Sequence, residues 1–565
     1  MRKAFTKLAI LIFAIAVSTN LMAQNNYLGV GSGSTLTVSS NTFLVTENIF
    51  NEGTISVSGT LTNNGVSSTF TNNGTFTDNG TVTLEDLTNN SGKTVDISEG
   101  KQMTIEGDLD NDGTFTINSS ASGTGSLIVE GTVSGNVNVE QYITGTNSVS
   151  IPDGRFWYLS SPISNATSAV FNASGNNRLW YFTESSGNYT EISDNSTALT
   201  VGKGYVARVT ENSTLNFSGS LNIGEKTINT TWNSGSNYPG FNLVGNPYQS
   251  AIDWEGGSAT NLRTTYWNRT KSAGGIMVHD SYNTSSQTGT NNNGNGAIGK
   301  YIPSMQAFWV RCKDNNASGS IVFDNSDRSH QTETLYKNGT TNNNTLRLRA
   351  ERGVYTDETI IYFFSNASVG FDEFDTEKMF TEDINLPQIY TTDPVVGDLV
   401  MQSFPFNIAN LSIPMGFETK LADTFALNAY NILDLNLGIS VYLEDLVENT
   451  IVDLRQNPMY NFSSNISNSF RFIVHFYSTI TNQENICNKK QEANIYSYGN
   501  SIYLQTPSEK YSVKVFDIQG KLIVEKQINN TTFSKIEMNN SNGYYIVKLI
   551  NSKSVSTKKV FINHL

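Results

Sequence analysis

The sequence predicts an all-β protein: an N-terminal parallel β-helix-like solenoid, two β-sandwich units and a small C-terminal immunoglobulin-like β-sandwich. Three observations predict it. Glycine-centred turns recur near the start of the chain. Farther on, short apolar runs alternate with Gly, Asn and Pro. Outside the leader, no long stretch has a helical period. Composition agrees: 45 Gly, 11 Pro and an aromatic share of 11% suit turn-rich sheet structure. At 565 residues the chain has room for about three or four domains.

The chain starts with a positive cluster, Met1-Arg2-Lys3 and Lys7, followed by the apolar run Leu8 to Val17 and by Leu21-Met22-Ala23. This is the pattern of a secretory signal peptide over residues 1–23, cut after Ala23. The apolar run is too short to anchor in a bilayer, and no Cys follows the cut. No transmembrane segment is expected in the mature chain.

Residues 24–143 repeat a unit of Asn, Asp or Ser, any residue, then Gly-Thr-apolar. Examples are Asn51-Glu52-Gly53-Thr54-Ile55, Asn72-Asn73-Gly74-Thr75-Phe76 and Asn111-Asp112-Gly113-Thr114-Phe115. Glycines fall six apart at Gly53, Gly59 and Gly65, and 18 apart from Gly74 to Gly92 and from Gly107 to Gly125. Steps of six within rungs of 18 predict a parallel β-helix with three short strands per rung, and two Gly steps of 21 imply that some rungs carry insertions. Ile55, Phe76, Val82, Ile105 and Phe115 are expected in one inward column, with Asn side chains laddering at the turns. Asp108, Asp110 and Asp112 have calcium-loop spacing and are the candidate metal ligands. The twelfth loop position, however, is Ser119 and not Glu, so a solvated acidic turn competes with that reading.

Residues 144–330 hold all six Trp of the chain. Runs such as Arg155 to Leu159, Gly204 to Val209, Phe241 to Gly245 and Met305 to Val310 predict a jelly-roll-like β-sandwich. Thr284 to Gly296, rich in Gly, Asn, Ser and Thr, is expected to be a mobile loop. Trp180, Trp232, Trp254 and Trp267 are candidate ligand aromatics, since an indole face complements the apolar C–H face of a sugar; a core role competes. Residues 331–481 predict a second β-sandwich, with strands at Leu346 to Arg349, Thr359 to Phe363, Ser440 to Leu443 and Arg471 to Phe476, and Leu443-Glu444-Asp445 in an acidic turn. Residues 482–492 are the expected linker.

Residues 493–565 alternate apolar and polar in short runs broken by Gly520 and Gly543. Three motifs stand in order: Asp517-Ile518-Gln519-Gly520-Lys521, Gly543-Tyr544-Tyr545-Ile546-Val547 and Thr557-Lys558-Lys559-Val560. In these motifs the tail resembles the type IX secretion system type A C-terminal sorting domain of Bacteroidota. Where that family opens with Pro-Asn-Pro, this chain has Tyr496-Ser497-Tyr498-Gly499-Asn500. The resemblance implies a sorting signal at Asp517, Gly520, Gly543, Tyr545, Lys558, Lys559 and Val560. It implies export by the type IX outer-membrane machinery to the cell surface or the medium, through the periplasm. The tail carries +5 and the remainder −19, which separates a basic appendage from an acidic body. The stretch Trp157 to Phe476 resembles an uncharacterised repeated ectodomain of exported Bacteroidota proteins. The shared elements are Phe241 to Tyr248, Met305 to Phe308 and Leu443 to Asp445. That likeness implies location, not activity.

Little points to chemistry. The four His (His279, His330, His475, His564) lack metal-ligand spacing, no phosphate loop occurs, and no carboxylate pair stands out. No catalytic residue is assigned, the chain is expected not to be an enzyme, and no cofactor is expected beyond the calcium candidate. The acidic balance argues against a nucleic-acid partner. Cys312 and Cys487 are compatible with a disulfide or with two free thiols. The leading expectation is an adhesin-like surface or secreted protein. The alternative is a carbohydrate-binding or carbohydrate-active protein, with surface polysaccharide or extracellular glycan as partner.

Overall fold

The computed structural model describes residues 21–23, 27–63, 65, 67–146, 155–173, 176–272, 275–314, 317–331, 344–406, 410–433, 435, 439–465, 467–478, 494–498, 500–506, 509–529, 533–539 and 542–563. Most of the expected leader (residues 1–20), the expected linker (482–492) and Cys487 lie outside the described residues. Cys312 is buried and has no disulfide partner among the described residues. Among the described residues there is no α-helix; strands are joined by turns and by two short 3-10 segments, Ser168–Phe171 and Asn325–Asp327. No helix there is long and apolar enough to cross a membrane. The chain divides into two units. One holds Met1–Asn407, Pro414–Asn436 and Leu443–Ile473; the other holds Ile408–Ile413, Leu437–Tyr442 and Val474–Leu565.

The repeat folds as a parallel β-helix with three faces. On one face Thr54–Val57, Thr75–Asp78, Thr94–Ile97 and Thr114–Ile117 stack in parallel, aligning Ile55, Phe76, Val95 and Phe115. On the next, Thr60–Asn63, Thr81–Leu84, Gln102–Ile105 and Ser126–Val129 align Leu61, Val82, Met103 and Leu127. On the third, Asn48–Asn51, Thr69–Asn72, Asp86–Asn89 and Leu109–Asn111 stack alike. Successive side chains of a strand point to opposite sides, so every second residue enters the core. The five residues expected in one column are all buried. They occupy three columns, however: Ile55, Phe76 and Phe115 share one on the first face, while on the second face Val82 aligns with Met103 and Ile105 with Leu84. As expected, the six-residue glycine step carries the chain from one face to the next within a rung.

The rungs vary around the expected 18 residues, with the insertions that the Gly steps of 21 imply. Asn51, Asn72, Asn89 and Asn111 stack at sequence offsets of 21, 17 and 22. Turns between faces range from the single Glu85 to the insertion at 118–125, which carries its own small hairpin. The asparagines form the expected ladder: each Nδ2 donates to the next Oδ1 at 2.8, 2.8 and 2.7 Å. Each of Asn51, Asn72 and Asn89 also donates to a threonine carbonyl one rung on. The repeat glycines answer to close stacking. A Cβ on Gly74 would lie 2.1 Å from the Gly53 carbonyl oxygen, and one on Gly80 would lie 2.1 Å from that of Gly59.

The last rung is closed by a strand from farther along the chain. Val137–Ile143 pairs antiparallel with Ser213–Gly219 over its whole length, covering a parallel edge that would otherwise be open. His330 fastens a neighbouring face. Its Nε2 lies 2.9 Å from Thr104 Oγ1 and its Nδ1 lies 2.8 Å from Ser126 Oγ. Burial, and the nearby Arg328, push its pKa down to about 4, so a neutral ring makes these bonds.

Beyond the solenoid, two antiparallel sheets face each other. The first runs in the order Trp157–Leu159, Tyr205–Arg208, Arg178–Thr183, Asn188–Ile192. The second runs Phe241–Gly245, Ala307–Cys312, Leu262–Lys271, Met277–Asn283, Thr288–Gly289. Three strands of the second sheet, Phe241–Gly245, Ala307–Cys312 and Leu262–Lys271, feed two cores by alternation. Tyr266, Phe308 and Val310 enter one; Trp267, Ala307 and Trp309 enter an aromatic one shared with Tyr158, Phe182 and Val206. The Gly245-Asn246-Pro247-Tyr248 turn is a buried knot. Asn246 Nδ2 donates to the carbonyls of Ser250, Ile302 and Pro303, and its Oδ1 accepts the Tyr248 N–H. Thr284 to Gly296 is not the loose loop that its composition suggests. The buried Asp280 carboxylate accepts from Thr290 Oγ1, Asn292 N and Asn293 Nδ2 and draws the loop inward.

The next strands pair in the order Met459–Ser464, Asp423–Tyr430, Thr345–Arg352, Tyr355–Phe363, Gly397–Phe404, Gln388–Asp393. Asp445, read from sequence as part of an acidic turn, is buried and ion-paired. Its Oδ2 meets Arg471 Nε at 3.2 Å and Nη2 at 2.9 Å. The second unit contains two tail sheets: Asn494–Tyr498, Ser501–Gln505, Phe533–Glu537, and Leu522–Asn529, Lys510–Asp517, Gly543–Ile550, Val555–Ile562. Between them lies a core that includes Ile502, Leu504, Val513, Val515, Val547, Leu549 and Ile562.

Candidate functional site

Two places gather the residues singled out in the sequence. The first is the tail sheet, where the three motifs meet. Asp517, Tyr545 and Val560 sit side by side on three adjacent strands, Asp517 opposite Tyr545 and Tyr545 opposite Val560. Asp517 also shapes the hairpin that follows it. Its Oδ1 accepts the N–H groups of Gln519 and Lys521, both at 2.9 Å, and its backbone brackets the turn. Gly520 supplies the left-handed conformation there, with φ +86. Tyr545 and Val560 point into the tail core, and Gly543 starts their strand opposite Ile562. Lys558 and Lys559 are exposed on the edge strand. Lys559 Nζ lies 3.9 Å from the Tyr544 ring centroid, and Tyr544 and Phe561 meet at 5.0 Å. The outer face therefore shows an aromatic pair with a cation over it.

The second place is a cavity of about 370 Å³ at the open side of the two facing sheets. The first sheet supplies Trp180, Tyr189 and Val206; the second supplies Arg269 and His279; Phe156 and the segment Phe380, Thr381 and Glu382 complete the lining. Alternation puts Trp180 there: Leu179 enters the core shared with the solenoid, and Trp180 turns to the opposite face. The segment is held in place by two anchors. Lys378 Nζ pairs with the buried Asp357 carboxylate at 2.5 Å, and Gln388 bonds both the N–H and the carbonyl of Thr381. Phe156 and Trp180 lie 5.8 Å apart, tilted by 47°. His279 Nε2 is 3.3 Å from the Tyr158 hydroxyl. Burial, with the charges of Arg269 and Lys378, holds the His279 pKa well below its ordinary range, so the ring is neutral.

The other sequence candidates are placed as follows. Trp254 and Trp267 are buried in the two cores, with the Trp267 indole N–H donating to the Glu377 carbonyl at 3.0 Å. Trp232 packs half-buried against the core around Tyr248. Of the four candidate tryptophans, Trp180 alone lines this cavity. Asp108 Oδ1 accepts the N–H and hydroxyl of Thr132 at 2.7 and 2.8 Å, and these bonds lower its pKa. Asp110 accepts from the Ser134 hydroxyl, and the Asp112 N–H donates to the Asn89 carbonyl. Among the described residues no three His, Cys, Asp or Glu side chains converge on a metal-sized space. Sequence reasoning missed Arg269 and His279. The available signal was alternation: Arg269 stands two residues after Trp267 and so shares its face.

Comparison with known proteins gives two family matches. Residues 60–476 match the family described as Domain of unknown function (DUF8693). Residues 498–563 match the family described as Secretion system C-terminal sorting domain. No curated protein matches. A solved structure titled "Biofilm associated protein - BSP domain" aligns with 75% of this chain and 96% of its own, at 7% identity and a TM-score of 0.14. A score that low carries no argument.

Proposed function

The chain belongs to the family described as Domain of unknown function (DUF8693), and from that premise we propose an exported, adhesin-like binding protein whose β-built body recognises a partner. Its C-terminal domain is a type IX sorting domain, which directs export through the outer membrane to the cell surface or the medium. The observation that carries the proposal is the row Asp517, Tyr545, Val560. Three motifs that are separate in sequence come together on adjacent strands of one sheet, which has its own core. In this reading the apolar leader over residues 1–23 takes the chain to the periplasm, and the sorting domain takes it onward. The body works by recognition and not by catalysis. Its solenoid is a stiff display surface, and its polar groups, such as the Asn ladder, serve the fold.

Deleting Tyr511 to Leu565 tests the delivery role. The truncated protein is expected to accumulate in the periplasm, with surface labelling lost. Undiminished surface display would refute it.

One observation favours a second reading, that the body binds carbohydrate. Phe156 and Trp180 present tilted aromatic faces to a cavity of about 370 Å³, within the usual range for small-molecule sites.

A further inference from the structure

We propose that the cavity beside Trp180 takes an anionic sugar, whose carboxylate or sulfate is held by Arg269. This rests on the carbohydrate-binding reading and names its ligand class.

The charge argument starts from the sheet that carries Arg269. Leu262–Lys271 and its neighbour Ala307–Cys312 each carry another arginine, and both of these are answered by carboxylates. Arg263 pairs with Asp314 at 2.7 Å and Glu377 at 3.0 Å; Arg311 pairs with Asp314 at 3.0 Å and Glu377 at 2.5 Å. Arg269 has no such answer. Among the described residues it forms no ion pair and no hydrogen bond. It lies over the faces of Phe156 and Tyr158, at 5.6 and 5.7 Å from their ring centroids. Its Nε is buried without a partner. A half-buried guanidinium in this state keeps a desolvation cost that an entering anion offsets through charge-assisted hydrogen bonds.

The rest of the lining fits the remainder of such a ligand. Phe156 and Trp180 offer aromatic faces to the apolar side of a sugar ring. His279 lies directly across from Arg269 in the sheet, and its Nδ1 has no hydrogen-bond partner. Being neutral, it can bond a hydroxyl without adding charge. Glu382 also lines the cavity but is exposed, and it makes no ion pair with Arg269. It therefore sets a direction: the anionic group goes inward to Arg269, away from the carboxylate at the mouth.

Isothermal titration calorimetry of the full chain tests the proposal with three probes: a galacturonate trisaccharide, a sulfated galactose trisaccharide and a neutral galactose trisaccharide. At low salt, at least one anionic probe is expected to bind about tenfold tighter than the neutral one, and the gap should narrow as salt rises. The better anionic probe identifies carboxylate or sulfate as the preferred group. Arg269→Gln should bring the anionic probes down to the neutral level, and Trp180→Ala should weaken all three. Equal affinity for charged and neutral probes would overturn the assignment to Arg269 and leave carbohydrate binding standing. Silence with all three would overturn both. An anion preference that survives Arg269→Gln in a protein with unchanged melting temperature would overturn the site. If Arg269→Gln does not fold, Arg269→Lys takes its place. Lysine keeps the charge but loses the planar fork, so anion affinity should fall partway; no change would count against the proposal.

Discussion

Replacing Asp445 by alanine is expected to destabilise the fold by about 3–5 kcal/mol, because it strands a buried guanidinium. Asp445 and Arg471 are both nearly inaccessible, with side chains 1% and 2% exposed. The pair is fully furnished. Arg471 also donates to the Ser463 carbonyl, and the Asp445 carboxylate also accepts from Val447 N, Glu448 N and the Tyr460 hydroxyl. The Arg471 guanidinium rests on the Phe462 ring at 4.4 Å. Alanine removes the counter-charge and several bonds at once but leaves the cation in place. The joint change Asp445→Leu with Arg471→Met is expected to cost far less, since no charge then remains unpaired. Chemical denaturation of both variants checks this. A single-variant loss below about 1 kcal/mol, the range of an exposed pair, would contradict it.

The second large effect is a pH dependence located at Asp78. Asp78 is fully buried in a column where the register puts Val57 before it and Ile97 after it. One oxygen accepts the Gly80 N–H at 2.8 Å; Oδ2 has no partner. Burial raises its pKa from 3.8 to about 7, against the smaller opposing pulls of Gly80 and Lys101. Between those two values the folded chain holds a proton that the unfolded chain has released, so raising the pH favours unfolding. The stabilisation is complete below pH 3.8 and is lost by about pH 7, at about 1.4 kcal/mol per pH unit, or about 4 kcal/mol in all. Asp78→Asn does not titrate. The stability difference between variant and wild type should therefore shift by about 4 kcal/mol in favour of Asn from pH 4 to pH 7. A difference that stays flat across this range would contradict the assignment.

Much of this fold was legible because it is written locally. Strand alternation and the Asn-x-Gly-Thr turn need only neighbouring residues, and they led to the β-helix and its asparagine ladder. The tail motifs were legible in the same way. The rung length was legible only in part, because glycine steps of 18 and of 21 both occur and spacing alone does not reveal which turns stack. Gly74 lies against Gly53 and Gly80 against Gly59, and the turn lengths vary between them. Thr284 to Gly296 misled for a different reason. Its composition is that of a free loop, but a buried carboxylate outside the segment, Asp280, organises it. The aromatic cavity was only half legible. Trp180 was among the candidates, but Trp254 and Trp267 were not separable from it, because sheets covered on both faces bury tryptophans that sequence cannot distinguish from exposed ones. Arg269 and Phe380 belong to segments more than a hundred residues apart and share a wall only in the folded chain.

Delivery by the folded tail is tested most directly by transplanting it. Residues 493–565 would be fused to the C-terminus of an unrelated periplasmic protein in a bacterium that has the type IX machinery, and surface exposure would be read by protease accessibility on intact cells. The fused protein should reach the surface or the medium, and the same fusion carrying Asp517→Ala with Gly520→Val, which breaks the hairpin turn, should stay in the periplasm. If the intact fusion is retained inside, or the broken one is exported equally well, the row formed by Asp517, Tyr545 and Val560 is not the signal.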